Sequence, residues 1–161
     1  MKKTVRLRVN GLEQEVSVAT HHTLLDVLRR EFKLHSVREG CGIGMCGACT
    51  VLVEGKPVSS CLLLAALAAE KDVVTVEALG RQGLHPIQQA FVDHTAFQCS
   101  FCTPGFLLTT KALLEENPAP TPEQVKAYLA GNLCRCGSYM KIMDAVLDAA
   151  RRLQPANANA T

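Results

Sequence analysis

GCGIGMCGACTV, residues 40–51, places Cys41, Cys46 and Cys49 at the spacing C-x4-C-x2-C, and Cys61 follows a short way downstream. This spacing suits the four thiolates of a [2Fe–2S] cluster. Gly40, Gly42, Gly44 and Gly47 stand between the cysteines. A glycine loop can wrap a small inorganic core and turn its backbone N–H groups toward the sulfurs. Such hydrogen bonds favour the reduced, more negative state and so tune the potential. The bland alternative is a zinc-binding loop. Zinc sites usually come as paired C-x2-C arms, which this loop does not match.

Upstream, Val5, Leu7 and Val9 alternate with Thr4, Arg6 and Arg8, the period of a half-buried strand. Asn10-Gly11 supplies a tight hairpin turn, and residues 13–18 form the returning strand. Thr23 caps a helix over residues 24–32, with Leu24, Leu25, Val27, Leu28 and Phe32 largely on one side. Downstream, residues 50–53 and 56–58 form a second hairpin round Glu54-Gly55, which returns Cys61 to the loop. Residues 73–76 make a last short strand. Two hairpins, one helix and a ligand loop predict a β-grasp module of the plant-type ferredoxin kind over residues 1–77.

Residues 78–84, with Gly80 and Gly83, read as a linker, after which the apolar period changes from 2 to 3.6. Pro86 opens one helix, and Thr103-Pro104, a cap followed by proline, starts a second, which ends at Asn117-Pro118. Thr121-Pro122-Glu123-Gln124 is a capping box whose helix runs to Ala130 and stops at Gly131. Tyr139, Met143, Val146, Leu147, Ala150 and Leu153 mark a last amphipathic helix. The class is therefore α+β, with a helical domain over residues 85–153, a four-helix bundle by its short loops, and a flexible tail over residues 154–161. Cys99 and Cys102 fall at the start of the second helix, Cys134 and Cys136 before the last. Antiparallel helices would bring these loops to one end, where the short spacings let each pair clamp one iron of a second [2Fe–2S] cluster. Helix N-termini beside them favour the negative charge of thiolates. On spacing alone, C-x2-C with C-x-C leaves zinc as a rival.

All eight cysteines fall into these two sets of four. The balance of 17 basic and 15 acidic residues argues against a nucleic-acid surface. Residues 62–69 are apolar but too few to span a membrane, so no direct membrane insertion is expected. The N-terminus lacks the apolar core of a signal peptide. That predicts a cytoplasmic chain, or one carried to a membrane or across it by a partner, whose cysteines are ligands rather than disulfides. His21, His22, His35, His85 and His94 are scattered and read as surface or capping residues. Asp26, Asp144 and Asp148 read as solvated charges.

The order of the glycine–cysteine loop, linker, QCSFCTPGF (residues 98–106) and GNLCRCGSY (residues 131–139) resembles the small iron–sulfur subunit of the molybdenum hydroxylases. These are the xanthine-oxidase-like enzymes, among them isoquinoline, aldehyde and carbon monoxide dehydrogenases. The resemblance covers about residues 3–153. It implies that Cys41, Cys46, Cys49 and Cys61 ligate a distal cluster, and that Cys99, Cys102, Cys134 and Cys136 ligate a proximal one. It also implies that Gln98 hydrogen-bonds a molybdopterin held by a large catalytic partner, in its cytosine dinucleotide form, and that Cys136 is the ligand nearest the pterin. Taken without the resemblance, Gln98 is as readily an ordinary loop residue. Gly137-Ser138 stands where many relatives carry Thr-Gly. This variant resembles a branch in which several members pass electrons to a c-type cytochrome, with no flavin subunit. The implied role is electron relay from the molybdopterin to an acceptor. The rivals are a free-standing ferredoxin-type carrier and a zinc-stabilised interaction module.

Overall fold

The computed structural model describes residues 1–154. The tail expected over residues 154–161 therefore lies, beyond Gln154, outside the described residues. Strand β1 (Lys2–Val9) pairs antiparallel with β2 (Leu12–Ala19), with Val9 opposite Leu12. The alternating Val5, Leu7 and Val9 are buried as their period requires. Asn10 and Gly11 turn the hairpin at φ 53° and 77°. Asn10 does more than turn the chain. Its buried amide donates to the Thr75 hydroxyl at 2.8 Å and accepts from the Thr75 N–H at 2.8 Å, pinning the end of the sheet.

Helix α1 (Leu24–Arg30) starts at the expected Thr23 cap but ends short of Phe32. The chain leaves it through Lys33 at φ 58°, and the Leu34 N–H closes back on the Leu28 carbonyl at 3.0 Å, a Schellman closure. Strands β3 (Thr50–Val53) and β4 (Lys56–Ser59) form the second hairpin, and β5 (Asp72–Val74) completes a sheet of order β2-β1-β5-β3-β4. β5 is shorter than its expected span because the chain tightens into a 3-10 turn over Val76–Ala78. The apolar stretch before it contributes a 3-10 helix, Ala65–Ala68, to the core beneath the sheet.

All four residues of β3 are buried because the strand faces two cores. Val51 and Val53 point into the core shared by the sheet and α1, while Leu52 meets Leu108 and Ala112 of the helical half. Helices α2 (Pro86–Asp93), α3 (Thr103–Glu116), α4 (Pro122–Tyr128) and α5 (Tyr139–Leu153) share one apolar core that includes Phe91, Phe106, Val125, Ile142 and Val146. Two expectations change here. The α4 segment leaves α-geometry at Tyr128 and continues as a 3-10 turn over Leu129–Gly131. Thr103 is the first helical residue of α3 rather than its cap; Cys102 holds the cap position without a side-chain bond.

Candidate iron–sulfur sites

The early loop, residues 40–49, carries Gly42, Gly44 and Gly47 at positive φ. This backbone turns successive N–H groups inward: those of Ile43 and Met45 point at the Cys41 sulfur, at 3.5 and 3.3 Å. The N–H groups of Ile43 and Cys46 draw the Cys41 thiol down to about 7. Burial has the opposite effect on Cys61, pushing it up to about 11. Cys41 and Cys46 lie side by side at the surface, Cys49 and Cys61 side by side within. The structure thus brings the four early cysteines together as two pairs.

The four late cysteines also come together, but not in the pairs their spacing suggests. Cys99 stands 3.5 Å from Cys136, sulfur to sulfur, and Cys102 bonds to Cys134. Each pair takes one thiol from each loop, so an iron held by a pair would tie the loops together rather than clamp one of them. Cys99 and Cys136 are exposed, Cys102 and Cys134 buried. Burial pushes the Cys102 thiol up to about 12. Burial also works against Cys134, but the Ser138 N–H and the Cys102 thiol outweigh it and hold that thiol below its ordinary value. Gln98, also exposed, donates its amide to the Cys136 carbonyl at 3.1 Å and so bridges the two loops.

The donor chemistry fits two [2Fe–2S] clusters. Each group offers four thiols in two pairs, one pair for each iron, on loops that present backbone N–H groups to sulfur. Among the described residues no three His, Cys, Asp or Glu side chains converge to hold a single ion.

Several residues to which the spacing of the cysteines assigns no role join the two groups. The Leu133 N–H, one residue before Cys134, donates to the Cys46 carbonyl at 2.9 Å. Asn132 is buried; its amide donates to the Gly47 carbonyl at 3.2 Å and accepts from the Thr109 hydroxyl at 2.9 Å. Gly105, in the first turn of α3, lies so close to the early loop that an added Cβ would meet the Gly47 carbonyl oxygen at 2.2 Å. Arg38 donates from just upstream of the early loop to the Ser100 carbonyl, and its guanidinium lies 5.4 Å over the Phe101 ring. A cleft of about 380 Å³ between the two groups is lined by Cys41 and Cys46 on one side and Cys99, Cys102 and Cys134 on the other. The glycine in CTPG is a signal for this close approach, and Asn132 lies within GNLCRCGSY; nothing in the local sequence marks Arg38.

His85 caps α2, accepting from the Ile87 N–H at 3.2 Å. Asp26 closes the capping box of α1, and Asp144 is exposed. Asp148, expected to be a solvated charge, is instead mostly covered and bonds to Arg152 at 2.6 Å and His94 at 3.1 Å. The packing of α5 on α2 brings these charges together.

Two family models match the chain. One, described as a 2Fe-2S iron-sulfur cluster binding domain, covers residues 7–77; the other, a [2Fe-2S] binding domain, covers residues 75–147. The nicotinate dehydrogenase small FeS subunit of Eubacterium barkeri is 45% identical over 94% of this chain and 97% of its own. The nicotine 6-hydroxylase small subunit of Paenarthrobacter nicotinovorans is 49% identical over 90% of this chain and 88% of its own. Among solved structures, the aldehyde oxidoreductase of Desulfovibrio desulfuricans superposes with a TM-score of 0.90 at 46% identity, covering 94% of this chain and 17% of that one. The quinoline 2-oxidoreductase of Pseudomonas putida superposes at 0.88 with 39% identity, over 96% of this chain and 99% of the matched one. Two cysteine groups of the right number and spacing, on the two kinds of domain that these matches name, place the chain in the family of small iron–sulfur subunits of the molybdenum hydroxylases.

Proposed function

We propose that this chain relays electrons from a molybdopterin site in a larger catalytic partner to an acceptor, entering at the Cys99–Cys136 edge and reaching the early group at Cys46. The observation that carries the reading is the hydrogen bond from the Leu133 N–H to the Cys46 carbonyl. It links a residue of the early group to the neighbour of Cys134 in the late group. The route from one set of sulfurs to the other then runs through the covalent bonds of Cys46, Leu133 and Cys134 and a single hydrogen bond. The clusters, when bound, each take up and release one electron. The chain supplies placement and potential: thiols in pairs, inward N–H groups at Cys41, and a covered interior edge at Cys102 and Cys134.

Gln98 stands at the outer edge of the late group beside Cys99 and Cys136. Its remaining amide valences are available to a pterin presented by the partner, in the cytosine dinucleotide form. Cys136 is then the ligand nearest the pterin. The division into residues 1–77 as a β-grasp ferredoxin module, 78–84 as linker and 85–153 as a four-helix bundle serves the same reading, one module for each cluster. Gly137-Ser138 favours a c-type cytochrome over a flavin subunit as acceptor. We infer a cytoplasmic site of assembly, where the eight thiols stay reduced until iron enters. No helix among the described residues is long and apolar enough to cross a membrane.

Affinity capture of the full chain from its own cells tests the relay. A large molybdenum-containing subunit should come with it in equal amount. Within that complex, Cys136→Ser should alter one EPR signal, spare the other, and slow reduction by substrate at least tenfold. A chain that captures no such subunit, and is reduced at an unchanged rate in the Cys136→Ser form, would contradict the relay.

A further inference from the structure

Ser138 follows the late C-x-C pair and occupies the residue before the first turn of α5. A serine there ordinarily accepts from the N–H two or three residues on and so caps the helix. Ser138 does not: α5 has no side-chain cap bond. The side chain is not solvated either, for the residue is only 5% exposed and its hydroxyl oxygen has no hydrogen-bond partner among the described residues. A buried hydroxyl left unmatched is costly, so it calls for a partner. The two ordinary uses of the residue are thus absent, while its backbone N–H already points at the Cys134 sulfur at 3.4 Å. Gly137, at φ 77°, sets that turn.

We propose that the Ser138 hydroxyl is a potential-setting donor to the late cluster, pointing its proton at the Cys134 sulfur or at the adjoining sulfide. Reduction adds one negative charge to the cluster, and a fixed O–H dipole stabilises that charge more than it stabilises the oxidised state. The hydroxyl therefore raises the midpoint potential of the late cluster relative to the early one. No bond is made or broken and no proton is transferred. Ser138 acts through Cys134 and touches no substrate, so it is a positioning residue. The inference rests on the reading that Cys99, Cys102, Cys134 and Cys136 hold a [2Fe–2S] cluster.

An EPR-monitored redox titration of the intact complex, as wild type and as Ser138→Ala, tests it. Two reducible signals in the wild type establish the underlying reading independently of Ser138. With both signals present, Ser138→Ala should lower the midpoint of the late cluster by about a tenfold change in its reduction equilibrium, ~59 mV for one electron. The early cluster should not move, and Ser138→Thr should recover most of the shift. A purely structural role would change melting and leave both midpoints in place. A late midpoint unmoved in Ser138→Ala overturns the proposal. Should the variant fail to take up iron, ENDOR on the reduced wild type decides instead. An exchangeable proton beyond those of backbone amides, strongly coupled to the late cluster, supports the donor; absence of any such proton overturns it.

Discussion

At the scale of single residues, the chain holds its late loop from outside. Ser100 sits between Cys99 and Cys102 at φ 61°, a conformation that a residue with a side chain adopts only when its surroundings fix it. Arg38 supplies that fixing from the other half, with its guanidinium on the Ser100 carbonyl and against Phe101. Arg38→Gln should lower the thermal stability of the apo-chain by about 1.5–3 kcal/mol, the range for a hydrogen bond involving a charged group. Cluster content of the late group should fall while the early EPR signal persists. Equal loss of both signals would show that Arg38 serves general folding instead. Gln98→Ala removes the amide bridge to the Cys136 carbonyl but no apolar packing. Both clusters should persist with melting nearly unchanged, and reduction by substrate should slow. Unchanged turnover would make Gln98 a spectator.

At the scale of elements, capping and charge decide where helices begin and how they dock. Thr121 caps α4, accepting from the Gln124 N–H at 3.3 Å, while Gln124 returns a bond to the Thr121 N–H at 2.8 Å. Thr121→Ala should cost about 1 kcal/mol in denaturant unfolding. The α2–α5 contact holds Asp148 against Arg152 and His94. Burial raises the Asp148 carboxyl, but Arg152 and His94 outweigh it and leave the group below the usual carboxylate range. A carboxylate depressed in the folded state contributes its full stabilisation above its unfolded-state value of about 3.9. It loses that contribution as pH falls through the lower folded value. Melting temperature should therefore decline below about pH 4, and Asp148→Asn should flatten that part of the profile. An identical acid limb in the variant would show that other carboxylates carry it.

The starts of elements were legible in the sequence because caps and prolines are local signals. Thr23, His85-Pro86 and Thr121-Pro122 each begin a helix where their chemistry places one. Ends were less legible, since the Schellman closure at Lys33 and the 3-10 turn after Tyr128 depend on what the chain packs against next. The cysteine groups were readable from spacing, but not their pairing. Cys99 joins Cys136 because two loops distant in sequence meet at the end of the helices, which no local pattern encodes. Asp148 misled for the same reason: its partners lie on α2 as well as on its own helix.

At the scale of the whole molecule, the two halves make one relay only if they stay in register. Leu52 packs on Leu108 and Ala112, Asn132 bonds to Gly47, and Gly105 abuts the Gly47 carbonyl. Any side chain at residue 105 must push the early loop away, because the opposing atom is backbone. Gly105→Ala should destabilise the chain by about 1–3 kcal/mol, and it should slow electron transfer between the clusters while each remains reducible. Unaltered transfer would show that the Leu133–Cys46 link survives the displacement, or that it is not the route. The relay requires that eight thiols form two separate [2Fe–2S] sites in one polypeptide. Iron and acid-labile sulfide analysis combined with low-temperature EPR of the reduced complex measures this most directly. Two such sites give about four irons and four sulfides per chain, with two distinct signals that each integrate to one spin. A chain that binds zinc, or that shows one signal with about two irons, would contradict it.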